Sequence, residues 1–174
     1  MHDNLSDYTP VAHAFIGLDA CFYCLGRAVS LVKDEAEYRR LAYNAPEAAA
    51  KQLRTGSPQA TFHYLSGKGA SLASRQMWAR VKAESEHNLM EQYGAVCWRP
   101  GVIDAKYTQG WPAFYRFVIP AIVILAPSKR IYITGEDLAR AMLESASTKA
   151  RRQIHENPAI HELALAFRAR ETRR

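Results

Sequence analysis

Apolar and polar positions along this chain switch between two periods, and the switching lays out its elements. Residues 62–92 show it best. A short aromatic-rich run closing on Leu65 and Ser66 reads as a buried strand. Gly67 and Gly69 break that strand. A helix over 74–92 follows, with Met77, Val81, Leu89 and Met90 apolar and charges between them. Trp78 and Lys82 stand four residues apart and share one face of it.

The same reading extends in both directions. Met1 to Tyr8 is polar and turn-like, and Val11–Ile16 is a weakly apolar helix. A strand at 18–25 ends on Gly26. A long helix covers 33–54, with Tyr38, Leu41, Ala42, Ala49 and Leu53 as its apolar positions. Thr55–Pro58 ends that helix and Pro46 kinks or splits it. A strand at 60–65 precedes the helix at 74–92. Gly94 then opens a strand at 95–99, which Pro100, Gly101 and Val102 close before a polar loop at 104–110. Residues 113–127 are the most apolar stretch, but a membrane span needs about 20 apolar residues. This one is shorter, carries Arg116 and is interrupted by Pro120, so it predicts a buried helix or strand and no span. A strand at 130–133 leads into a helix with Glu136 and Asp137 in its first turn, as the helix dipole favours. Leu138, Ala141, Met142 and Ala146 give that helix an apolar face. Alternating strands and helices predict a three-layer α/β fold. The strands at 18–25, 60–65, 95–99 and 130–133 are expected to pair in parallel, with the helices at 33–54 and 74–92 on the sheet.

The chain has 174 residues and 48% apolar composition, enough for one domain with a real core. Its net charge of +6 suggests nucleic acid until it is divided by region. Residues 149–174 hold seven Lys/Arg against three Asp/Glu, which accounts for +4. The expected organisation is therefore a body at 1–148 and a basic segment at 149–174, the latter a solvated end with Ile154, Ile160, Leu163 and Leu165 as its few anchors. No nucleic-acid partner is predicted. Cys21, Cys24 and Cys97 make no disulfide framework, and with no secretory signal at the start the reading is a reducing, cytoplasmic setting. Cys21 and Cys24 are formally C-x-x-C, but positions i and i+3 of a strand point to opposite faces. No further ligands at zinc spacing accompany them, so they read as buried structural thiols and no metal is predicted.

A serine at a strand end, then an aromatic and a lysine on the next helix, resembles the active site of the short-chain dehydrogenase/reductase superfamily. The likeness is to its atypical members, the NAD-dependent epimerase/dehydratase-like proteins with an NAD(P)-binding Rossmann fold. Their triad is Ser and Tyr-x-x-x-Lys; here Ser66 is followed by Trp78 and Lys82, without the tyrosine. The resemblance implies that Ser66 orients a carbonyl and that Lys82 holds the nicotinamide ribose of NAD or NADP. It also implies that Leu25 and Gly26 pass under that ribose, that Pro100, Gly101 and Val102 run beside the nicotinamide, and that Asp3 contacts the adenine. The segment Ile133 to Met142 resembles the family's late strand–helix unit, so the likeness runs from about residue 3 to 160. The implied substrate is a small carbonyl compound or a nucleotide-sugar-like molecule.

Position 78 changes the chemistry. An indole offers an N–H donor but no proton it can release near neutral pH. Two readings stand open there: Trp78 as a pocket wall of a degenerate site, or Trp78 as a core aromatic with Lys82 paired to Glu86 at i,i+4. Tyr64 and Lys68 also have the Tyr-x-x-x-Lys spacing, but across a strand end and a glycine turn. No G-x-G-x-x-G or G-x-x-G-x-x-G occurs in the sequence. Compared with the family, the first two βα units are absent, which makes the strand at 18–25 a sheet edge. The function implied is a weak or inactive NAD(P)-binding relative of these enzymes. The alternative is a non-catalytic interaction module whose exposed sheet edge takes a protein partner.

Overall fold

The computed structural model describes residues 4–104 and 131–173. These form two units: Met1–Arg99 with Ala146–Ile154, and Pro100–Ser145 with His155–Arg174. The division thus falls at 99/100 and within 145–155, where the sequence suggested a boundary at 148/149.

In the first unit, β1 (Ala20–Tyr23), β2 (Thr61–Leu65) and β3 (Val96–Arg99) pair in parallel, with Ala20 opposite Thr61 and His63 opposite Val96. The sheet order is β1-β2-β3-β6, β6 being Gln153–Glu156. β1 is therefore the terminal strand. Its predicted range of 18–25 shrinks to the four residues that find partners, leaving Leu25 and Gly26 beyond its end.

The helix predicted at 33–54 runs from Glu35 to Gly56 in three registers: α1 (Glu35–Arg39), a π turn (Arg40–Asn44) and α2 (Ala45–Gly56). Asp34 caps its start, the carboxylate accepting the Glu37 N–H at 2.8 Å. Pro46 sits in the first turn of α2, so the widened turn before it absorbs the missing N–H without a break. At the far end a β-carbon on Gly56 would lie 2.5 Å from the Phe15 carbonyl oxygen. Ser57 completes this junction: its hydroxyl donates to Phe15 O at 2.7 Å and accepts the Leu18 N–H at 2.8 Å. The 3₁₀ segment Thr9–Phe15, where a weak helix was predicted, is thereby tied to the end of α2.

α3 (Met77–Tyr93) starts three residues later than predicted and ends at Gly94, whose φ of +66° is the left-handed cap glycine favours. Ala49, Leu53 and Leu89 pack with Tyr23, Phe62, Tyr64 and Cys97, so α2 and α3 cover one face of the sheet. The other face carries an aromatic row, Phe22 against His63 and His63 against Trp98, with Thr61 Oγ1 bonded to the His63 ring at 2.9 Å. All three cysteines are free. Cys97 is buried and Cys21 half-buried, but Cys24 is exposed because it falls past the last paired residue of β1, which corrects the expectation that Cys21 and Cys24 are both buried.

The second unit holds β4 (Val102–Asp104), β5 (Tyr132–Thr134), α4 (Gly135–Ser147) and α5 (Asn157–Glu171). β4 and β5 pair in parallel as a separate two-stranded sheet, Val102 opposite Tyr132. The strand expected at 130–133 therefore does not join the main sheet; β6 stands beside β3 instead. Asp137 ties α4 to α5, its carboxylate meeting Arg168 at 2.5 Å while its own N–H donates to Thr134 Oγ1. The basic segment is thus a strand and a helix rather than a solvated end: Ile160 and Ala164 are fully buried. The apolar stretch 113–127 lies outside the described residues.

Candidate active site

β2 runs parallel to both neighbours, so its C-terminal end and the ends of β1 and β3 share one edge, the edge where ligands bind in open α/β sheets. Ser66 follows β2 at that edge, its N–H donating to Trp98 O at 2.8 Å. Its hydroxyl is buried and finds no hydrogen-bond partner among the described residues. Such an oxygen is costly unless something meets it.

Lys82 reaches the same place from α3. Its ammonium donates to the Leu65 carbonyl at 3.0 Å and lies 4.5 Å over the Tyr64 ring. Burial lowers its pKa to about 8, with Glu86 opposing that shift. The i,i+4 pairing of Lys82 with Glu86 is not formed. Glu86, 1% exposed, instead takes Arg99 side-on, Nε at 3.0 and 3.1 Å and Nη2 at 2.5 Å, because the guanidinium fork matches the carboxylate.

Trp78 is half-buried against Tyr38, Ala42 and Val81, and its ring lies over the turn after β2. β-carbons built on Gly67 and Gly69 would stand 3.9 and 3.7 Å from the indole. The side chain therefore joins the helix cluster to the glycine turn. Tyr64 supplies no replacement for a missing tyrosine. It is fully buried on the helix face, donates its hydroxyl to Ala42 O at 2.7 Å, and burial holds its pKa well above normal.

Leu25 and Gly26 lie past the end of β1 on the same sheet edge; Leu25 is 54% exposed and the space about Gly26 is open. Gly101 and Val102 belong to the second unit, where the Gly101 N–H donates to Asn157 Oδ1 at 2.8 Å and Val102 opens β4. Pro100 belongs to that unit too, and Asp3 lies outside the described residues. Among the described residues no cluster of His, Cys, Asp and Glu could hold a metal, and no helix is long and apolar enough to cross a membrane. The Glu86–Arg99 pair escaped the sequence reading. Its sole signal is a glutamate on the buried side of α3, which the i+4 spacing to Lys82 disguised.

No family model and no curated protein matches the sequence. Solved structures match its fold. RMD from Pseudomonas aeruginosa complexed with NADPH superposes with a TM-score of 0.66 at 13% identity, over 89% of this chain and 65% of its own. A dTDP-glucose 4,6-dehydratase from Streptomyces venezuelae with NAD bound gives 0.64 at 11% identity, over 95% and 62%. A UDP-glucose 4-epimerase from Thermus thermophilus in complex with NAD gives 0.62 at 16% identity, over 95% and 68%. The chain spans about two thirds of the length of these structures. Its fold is the Rossmann-like α/β fold that NAD(P)-binding epimerases and dehydratases share.

Proposed function

We propose that the chain is an NAD(P)-binding relative of the epimerases and dehydratases whose centre lacks its acid–base group. It turns over a carbonyl or nucleotide-sugar-like substrate feebly at best. The observation that carries this reading is the meeting of Lys82 and the Ser66 turn at the C-terminal end of β2, with an indole at position 78. A hydride acceptor needs a proton at its oxygen as the hydride arrives at carbon. Ser66 can hold that oxygen by a hydrogen bond, but Trp78 releases no proton.

The cofactor is partly provided for. The nicotinamide ribose suits the ammonium of Lys82 and the free hydroxyl of Ser66. For the pyrophosphate the sequence offers no G-x-G-x-x-G or G-x-x-G-x-x-G turn whose N–H groups would hold it. Trp78→Tyr tests the reading: carbonyl reduction in single-turnover assays with NADPH should rise only slightly, because binding stays poor. A rise of about 10²-fold or more, the usual worth of a general acid, would show that binding was never deficient.

One observation favours a second reading, a non-catalytic module that takes a partner strand. β1 is the terminal strand, its Phe22 is 38% exposed, and Ile16 and Leu25, which flank it in the chain, are 67% and 54% exposed. Protection of the β1 amides from hydrogen exchange in a complex but not in the isolated chain would favour it.

A further inference from the structure

The opposite edge of the main sheet carries a cavity of its own. A cavity of about 220 Å³ opens there between the ends of α2 and α3 and the start of β2. Its floor is apolar, with Leu53, Pro58, Ala60 and Phe62, and its rim bears three guanidiniums, Arg54, Arg151 and Arg152. No carboxylate lines it. Arg54 donates to Gln92 O, Arg151 to Gln59 O and Ala60 O at 2.9 and 3.2 Å, and Arg152 to Glu91 O at 3.4 Å. Those carbonyls include the last ones of α3, where positive charge is favourable. Capping uses only part of each fork, however, and none of the three meets a carboxylate among the described residues. Arg99 and Arg140 do, at 2.5 and 2.6 Å.

The backbone is held in place to bring these charges together. Lys149 and Arg152 both have φ of 53°, a conformation that residues with a β-carbon adopt only at a cost. The Arg152 N–H donates to Gly94 O at 3.1 Å, and the Arg151 side chain lies 3.6–3.9 Å from the place a Gly94 β-carbon would take. Three like charges around one cavity repel each other unless an anion joins them.

We infer that this cavity binds a small organic phosphate, its phosphoryl group on Arg151, Arg152 and Arg54 and its apolar part against Leu53 and Phe62. Guanidinium forks match phosphate oxygens in pairs. The volume admits a ring-sized group and no large ligand. The site is separate from the one proposed above, because Phe62 stands near the start of β2 and Ser66 beyond its end.

Calorimetric titration of the full chain at low ionic strength, with amide chemical-shift mapping, tests this. Phenyl phosphate, inorganic phosphate and phenol serve as probes. Phenyl phosphate should bind at one site more tightly than inorganic phosphate, and phenol not measurably. Shifts should centre on Leu53, Phe62, Gly94 and Arg151. Replacing both Arg151→Gln and Arg152→Gln should weaken phenyl phosphate by about tenfold or more, whereas Arg75→Gln leaves it unchanged. Absence of saturable binding to the wild-type chain, or shifts centred on Ser66 and Gly26, would overturn the inference. So would an unchanged affinity in the double variant, or tighter binding of an oligonucleotide than of phenyl phosphate at the same residues.

Discussion

Lys82 is where residue chemistry and stability meet. Its folded pKa of about 8 lies below the unfolded value, so the unfolded chain binds more protons between about pH 8 and 10. This residue therefore costs stability at neutral pH, and the cost disappears as pH rises through that window. Its size is on the order of 1–3 kcal/mol. Lys82→Met removes it: urea midpoints of the variant should exceed those of the wild type most at pH 7, and the difference should shrink through pH 8–10 and close only near the unfolded lysine pKa. Subtracting the two curves matters, because Cys97 and Tyr64, pushed up by burial, change stability in the opposite direction at high pH. Any residual carbonyl reduction should weaken above about pH 8, where the ammonium proposed to hold the nicotinamide ribose loses its charge. Glu86 poses the converse case. Glu86→Ala takes the side-on carboxylate from Arg99, and breaking a largely buried pair of this kind costs up to about 3–5 kcal/mol; a loss under about 1 kcal/mol in urea unfolding would contradict the side-on geometry. The placement of Ser66 and Lys82 at this edge was legible because the two sit on regular spacing. The Arg54, Arg151 and Arg152 cluster was not, since roughly a hundred residues separate its parts and no motif joins them.

Among elements, β2 and α3 were readable because one is a dense aromatic run bounded by glycines and the other is long and strongly periodic. β6 was not. Gln153–Glu156 is polar and mostly exposed, and it becomes a strand through pairing rather than through its own pattern. β4 and β5 are three residues each, too short to show alternation. The junction of the 3₁₀ segment with α2 rests on a backbone approach, which a pattern of apolar positions does not encode. Gly56→Ala should disturb that approach, because the added carbon meets the Phe15 carbonyl. A loss of about 1–3 kcal/mol is expected, with faster hydrogen exchange at the Leu18 amide, whose acceptor is Ser57 Oγ. Unchanged exchange at Leu18 would mean the junction does not hold that segment.

At the scale of the whole molecule, a parallel sheet with helices on one face and β1 at its end gives the chain a C-terminal edge at which the proposed function places half of a dinucleotide site. On that proposal the nicotinamide end would meet the Ser66 hydroxyl and the Lys82 ammonium, whereas the sequence holds no glycine-rich turn for the pyrophosphate. On the proposed function these two features together make cofactor binding poor. Calorimetric titration of NADPH and NADH into the 174-residue chain measures it most directly. The result predicted is binding no tighter than roughly millimolar, near −4 kcal/mol, for both nucleotides and for the Lys82→Met variant. Micromolar binding of either nucleotide, lost on Lys82→Met and accompanied by carbonyl reduction at an ordinary enzymatic rate, would contradict it.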